Sequence, residues 1–146
     1  MKTRFPSSIT VPAICWRNFL NLFFSLSIAL ASASAAEAGR VTDLMTKALA
    51  DVPGKEVTMI TVDYPPGGED PVHRHNASVF IYVLEGSIVM QMKGGKKVTL
   101  HPGQTFYEDP NRVHLVGRNA SKTKPAKFLV FLVKPRGAPI LELVTK

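Results

Sequence analysis

Two histidines one residue apart, His73 and His75, are the side chains of this sequence best suited to chemistry. In extended backbone, residues i and i+2 leave the same face, so both imidazoles aim at one point while Arg74 between them turns away. Two neutral imidazoles on one face make half of a divalent-metal site. A third candidate, His114, follows Glu108-Asp-Pro-Asn-Arg-Val near the start of an expected strand. The order is His-x-His, hairpin, Pro-Gly turn, His. It is the arrangement by which a closed β-structure gathers distant residues in its mouth. The fourth histidine, His101, stands before Pro102 at a strand end and is expected on the surface. The sequence has no Gly-rich phosphate loop, no Gly-x-Ser-x-Gly elbow and no cysteine pair to suggest another chemistry.

The elements that must position these histidines are short and β-like. Val57–Tyr64 is rich in β-branched residues, and Pro65-Pro-Gly-Gly68 turns the chain. Val79–Leu84 is a nearly continuous apolar run, which predicts a strand buried on both faces. Glu85-Gly86 breaks it, and Ser87–Met92 is expected to be its partner. Lys93-Gly-Gly-Lys96 is a hairpin signal, because glycine supplies the positive φ of a tight turn. Lys97–Leu100, Thr105–Tyr107, Val113–Gly117, Ala126–Val133 and Ile140–Val144 complete the series. Residues 41–50 carry apolar side chains at helical spacing, with Thr42 as a cap, so residues 37–54 read either as a short helix or as an extended arm. Many short strands punctuated by Gly and Pro indicate an all-β sandwich or barrel over residues 55–146.

The chain has 146 residues, enough for one domain. Residues 1–36 read as a cleaved signal peptide. Lys2, Arg4 and Arg17 form a positive start, the apolar run Phe19–Ala31 is shorter than the about 20 residues that span a bilayer, and Ala31-Ser-Ala-Ser-Ala-Ala36 offers Ala-x-Ala cleavage sites. An uncleaved N-terminal anchor is the rival reading. Cleavage predicts a periplasmic or secreted protein with no stable membrane anchor. Its net charge falls from +7 to +4 as those three cations leave. The remaining lysines cluster at Lys93/Lys96/Lys97 and Lys122/Lys124/Lys127 without interleaved aromatic residues, so no nucleic-acid partner is expected. The single cysteine, Cys15, lies in the leader, which leaves the domain without a disulfide or a thiol nucleophile. Asn76-Ala-Ser78 and Asn119-Ala-Ser121 match the glycosylation sequon, and a glycan on Asn76 would crowd the first two histidines.

The sequence resembles the cupin superfamily, specifically its small single-domain members. The first cupin motif is G-x5-H-x-H-x3,4-E-x6-G, and Gly67, His73, His75 and Gly86 fall on its glycines and histidines. The second is G-x5-P-x-G-x2-H-x3-N, and Gly103 and His114 match. The resemblance runs from about Lys55 to Val133 and implies a cupin-type double-stranded β-helix, a jelly-roll barrel. It also implies a divalent transition metal (Fe, Zn, Mn, Ni or Cu) on His73, His75 and His114. A small-molecule ligand in the barrel, dioxygenase-like or isomerase-like chemistry, and a homodimer paired through Phe128–Val133 or the C-terminal tail follow from the same resemblance.

The departures from the motifs set further expectations. Val79 stands where the family has the glutamate that is commonly the fourth ligand. With three neutral imidazoles and no protein anion, a bound cation keeps its full charge and favours a carboxylate or an enolate. Glu108 and Asp109 beside His114 are candidate replacements for that carboxylate, the rival reading being two solvated acids next to a turn, and Gln104 and Tyr107 are candidate cavity-lining residues, Tyr107 otherwise a core or rim aromatic. Phe80 and Tyr82 are expected to divide between interior and exterior. Asp109 and Asn111 replace the Pro and Gly of the second motif. Asparagine tolerates left-handed backbone, so the turn is expected to survive. The alternative reading is a metal-free binding or sensing module whose degenerate site is marked by Val79.

Overall fold

Strict alternation of buried and half-buried residues along Ala126–Pro135 marks a central strand with one face in the core. The computed structural model describes residues 37–145, and the expected leader, residues 1–36, lies outside them. The described elements are all strands: β1 (Arg40–Ala48), β2 (Lys55–Tyr64), β3 (His73–Arg74), β4 (Ser78–Glu85), β5 (Ile88–Met92), β6 (Val98–Leu100), β7 (Thr105–Glu108), β8 (Val113–Asn119), β9 (Ala126–Pro135) and β10 (Glu142–Leu143). They form two five-stranded antiparallel sheets in the orders β1-β2-β9-β4-β7 and β10-β3-β8-β5-β6. The core lies between the sheets. Ile60, Val62 and Tyr64 of β2 meet Val79, Ile81 and Val83 of β4, Met90 of β5, and Phe128, Val130 and Leu132 of β9. Each set steps by two along its strand, so one face of each strand fills the interior.

One open choice is decided and two expectations change. Residues 41–50 are not helical: β1 pairs with β2 from Arg40↔Asp63 to Ala48↔Glu56, with a bulge between Asp43 and Met45. A helix this short is marginal in water, whereas the free edge of β2 offers partners for the whole backbone. Secondly, β4 is not buried on both faces. Val79, Ile81 and Val83 point inward, while Phe80 and Tyr82 both point out and stay about half exposed. Thirdly, β5 is not the partner of β4. It pairs with β6 and β8 in the other sheet, and Glu85-Gly86 is a corner between sheets. Gly86 has φ +67°, and a Cβ there would sit 2.5 Å from the Pro125 carbonyl oxygen, so no other residue fits the corner.

Asn119 ends β8 and closes the barrel near Tyr64. Its amide nitrogen donates to the carbonyls of Tyr64, Pro65 and Lys124, and its side-chain oxygen accepts from the Ser121 N–H. It is buried, which takes this sequon out of reach of a glycosyl donor in the folded chain. Asn119→Ala removes these bonds, leaving the Lys124 carbonyl and the Ser121 N–H without this partner while the Pro65 carbonyl keeps the Gly68 N–H, and is expected to cost about 2 kcal/mol in urea unfolding. A change below about 0.5 kcal/mol would show that water replaces the bonds without penalty.

Candidate metal centre

His73 enters the interior because β3 alternates. Its side chain is buried, while Arg74 turns outward to Glu142, with Nη2 and Oε2 2.8 Å apart. His75, the next residue of that parity, is buried beside it. β3 pairs with β8 in the register that sets His73 opposite His114. Ring centroids lie 4.7 Å apart for His73–His75 and 4.9 Å for His73–His114. One nitrogen from each ring falls within 4.8 Å of the others, a spacing that one ion can bridge.

Backbone carbonyls fix the tautomers of the first two rings. His73 Nδ1–H donates to the Pro71 carbonyl at 2.7 Å, and His75 Nδ1–H donates to the Ile140 carbonyl at 2.6 Å. A carbonyl can only accept, so both protons sit on Nδ1 and both Nε2 atoms carry lone pairs. Those two Nε2 atoms face each other at 3.0 Å. Two lone pairs so placed repel unless a cation shares them. Burial pushes His75 below the ordinary histidine range, and burial together with neighbouring His73 and His75 pushes His114 down to about 4. A divalent metal needs neutral imidazoles and fits this donor set.

Glu108 reaches the same point from the opposite sheet. It ends β7, directly across from Val79 of β4, and is buried. Its Oε1 lies 3.2 Å from His114 Nδ1, and its Oε2 lies 3.4 Å from His75 Nε2. These approaches lack hydrogen-bond alignment. Glu108 Oε2 and both ring nitrogens of His114 are buried with no hydrogen-bond partner among the described residues. Unpaired polar atoms at that depth are costly, and an ion there would satisfy Glu108 Oε2 and one of the two nitrogens of His114. Burial and the negative charge of Asp70 push the metal-free Glu108 carboxyl up to about 8.

The other candidates separate by strand parity. Tyr107 precedes Glu108 and therefore points outward, where it packs on Phe80 at 5.1 Å between centroids. Gln104 is exposed and caps the His101 N–H at 2.8 Å. Neither lines the cavity beside the histidines. Asp109 is exposed and pairs with Arg112 at 3.2 Å. His101 is exposed, as expected, with Ser87 Oγ 2.9 Å from its Nδ1. Asn111 adopts φ 62°, so the altered second-motif turn keeps its left-handed residue. Its N–H donates to the His75 carbonyl at 2.6 Å, which ties the turn before His114 to the first histidine pair.

Two residues beside the histidines escaped sequence reasoning. Tyr64 donates its hydroxyl to Asp70 Oδ2 at 2.5 Å, and Asp70 Oδ1 accepts from the Gly39 N–H at 3.3 Å. Burial, then the Asp70 charge, raise the Tyr64 phenol well above its ordinary value. Gly117 makes room between them and His114, since a Cβ there would lie 3.0 Å from the imidazole and 3.2 Å from the Tyr64 oxygen. The parity of β2 would have placed Tyr64 inward with Ile60 and Val62. Nothing in the Gly-Gly-Glu-Asp-Pro segment singles out Asp70. Tyr64, Asp70, Glu108 and the three histidines border one cavity of about 190 Å³, whose remaining wall is apolar.

The sequence matches the cupin-domain family over residues 60–132, half of the chain. The chain is a cupin. No curated protein sequence matches it significantly. Among solved structures, this cupin is similar to the DMSP lyase DddQ from Ruegeria pomeroyi, with a TM-score of 0.59 and 20% identity over 73% of this chain and 52% of the lyase. It is also similar to a cupin domain from Bordetella pertussis, with a TM-score of 0.53 and 20% identity over 68% of this chain and 97% of that one. An oxalate oxidase in complex with glycolate gives a TM-score of 0.57 and 26% identity over 75% of this chain and 57% of the oxidase. The cupin thus spans a little over half the length of the lyase and of the oxidase, and the two likenesses at 20% identity concern the fold.

Proposed function

We propose that this protein is an exported cupin that binds one divalent transition metal through His73, His75 and His114, with Glu108 as the fourth ligand, and holds a small organic ligand in the barrel. The observation that carries the reading is the pair of Nε2 lone pairs facing each other at 3.0 Å, with both Nδ1 protons committed elsewhere. Glu108 adds the anion that Val79 lacks, from the next strand. A bound ion of this kind supplies Lewis acidity or one-electron chemistry to an oxygen-bearing ligand. Family resemblance favours dioxygenase-like oxidation or metal-assisted isomerisation, although a fold alone does not choose between them. Export rests on the leader pattern of residues 1–36. The metal-free module drew its motive from Val79, and Glu108 directly opposite weakens that motive.

Elemental analysis of the untagged protein tests the metal site. About one divalent ion per chain is expected, with almost none in His73→Ala/His114→Ala, since two of four ligands are gone. A folded wild-type protein that takes up no ion from any of the candidate metals refutes the reading. For the homodimer, β9 itself offers less than expected, because Phe128 and Leu132 are core residues. The support comes instead from the outer aromatic face of Phe80, Tyr82 and Tyr107, which is about half exposed. Sedimentation at micromolar concentration is expected to read two chains, and a single chain would refute it.

A further inference from the structure

The cavity has a polar end and an apolar body, and the polar end is unusual in what it offers. Ile60, Val62, Ile81, Phe128, Val130 and Leu132 form much of the apolar wall, and none of the lining residues is Lys or Arg. Two carboxyl side chains, Asp70 and Glu108, stand at the polar end. The hydrogen-bond donors there are already engaged except on His114, whose ring nitrogens have no hydrogen-bond partner among the described residues. His73 and His75 give their Nδ1 protons to the Pro71 and Ile140 carbonyls, and Tyr64 gives its hydroxyl proton to Asp70. His114 Nδ1 faces Glu108 Oε1. Apart from that ring, what remains for a ligand is acceptor capacity on Asp70 and on the Tyr64 oxygen.

We propose that this cavity selects an uncharged, hydroxyl-bearing organic molecule of about one ring, such as a phenol, and discriminates against small carboxylates. The hydroxyl oxygen as a donor to the ion and the charge balance that follows rest on the metal reading above; the lack of any Lys or Arg on the wall does not. The two carboxylates formally balance a divalent ion. A carboxylate ligand would therefore bring an uncompensated charge into a buried, apolar site. It would also find no free N–H or O–H to accept from except on His114, a ring the metal reading commits to the ion, whereas a hydroxyl can donate to Asp70 or Tyr64. The size follows from the volume: a cavity of about 150 Å³ holds benzene, and this one is about 190 Å³. This departs from the expectation from sequence that the site favours a carboxylate or an enolate, which assumed that no protein anion was present.

The test uses the full chain loaded with cobalt, whose visible spectrum reports ligand binding at the metal. Phenol and glycolate are titrated separately at neutral pH. Phenol is expected to bind at least about tenfold more tightly than glycolate, a difference of 1.4 kcal/mol. Asp70→Asn retains an acceptor for Tyr64 while removing one charge, and should narrow that ratio about tenfold. Glycolate binding as tightly as phenol to the wild type overturns the proposal, and an unchanged ratio in Asp70→Asn overturns its electrostatic basis. Failure to take up cobalt is instead the failure of the metal reading. The same two probes are then ranked by their shift of the melting temperature, and glycolate ranking above phenol overturns the ligand class by itself.

Discussion

Glu108→Gln is expected to stabilise the metal-free protein at pH 8 while weakening its hold on metal about a hundredfold, in the range found when groups supporting a metal centre are removed. The two effects have one cause. In the folded, metal-free chain the carboxyl is held up to about 8 by burial and by Asp70. In the unfolded chain it has lost its proton by about pH 5. Between those values the unfolded state binds fewer protons than the folded one, so stability falls as pH rises through the window. A change of this size corresponds to roughly 3–4 kcal/mol between pH 5 and pH 9. Glutamine does not titrate and should remove that slope. His75 and His114 act in the opposite sense. Their folded values are lowered, so their contribution grows as pH rises toward about 6.5, and it is common to both proteins. The difference between the two urea-unfolding profiles in chelator therefore isolates Glu108. Superimposable profiles would mean that the carboxyl is solvated, and would remove it from the centre.

Most of the fold was legible because its signals are local. Gly-Gly and Pro-Gly punctuation and β-branched runs placed eight of the strands to within about two residues, and the spacing of His73, His75 and His114 carried the centre. The failures share a physical origin, in that they depend on which strand lies beside which. An apolar strand such as β4 reads the same whether its second face is covered or bare, because Phe80 and Tyr82 are as hydrophobic as Ile81 and Val83. The partner of β5 could not be read from the adjacency of β4, since a tight hairpin and a corner between sheets can both be made by Glu85-Gly86. Residues 41–50 satisfy helical spacing and strand pairing alike, and only the open edge of β2 decides between them. Asp70 carries no local mark; its role depends on Tyr64 six residues earlier and on the Gly39 N–H. Glu108 was legible as one of two acids before His114. The parity that sends it inward and Asp109 into a solvent-exposed turn follows from the strand β7 that precedes both.

Exchanging the two residues across β4 and β7 should move the carboxylate without losing the site. Val79 and Glu108 are direct partners on neighbouring strands, so their Cβ atoms lie about 4.5–5.5 Å apart. Val79→Glu alone puts two buried carboxyl groups side by side in a metal-free interior. Val79 is only 1% exposed, and the change is expected to cost at least about 3 kcal/mol through desolvation and mutual repulsion. Glu108→Val alone should fold, because it replaces a buried, unpaired acid by an apolar group, and should lose metal affinity like Glu108→Gln. The double exchange Val79→Glu/Glu108→Val conserves side-chain volume across the pair and restores one carboxyl to the interior at the position of the family motif. Its stability in chelator is expected to return to within about 1.5 kcal/mol of wild type. Its zinc affinity, read by competition with a chromophoric chelator, should recover to within about tenfold. Non-additivity of this size is the signature of two positions serving one function. If the double variant folds and binds zinc no better than Glu108→Val, the carboxylate at 108 is not interchangeable with the one at 79. Glu108 would then act on the histidines from its own strand, by orienting His75 and His114, rather than as the displaced fourth ligand.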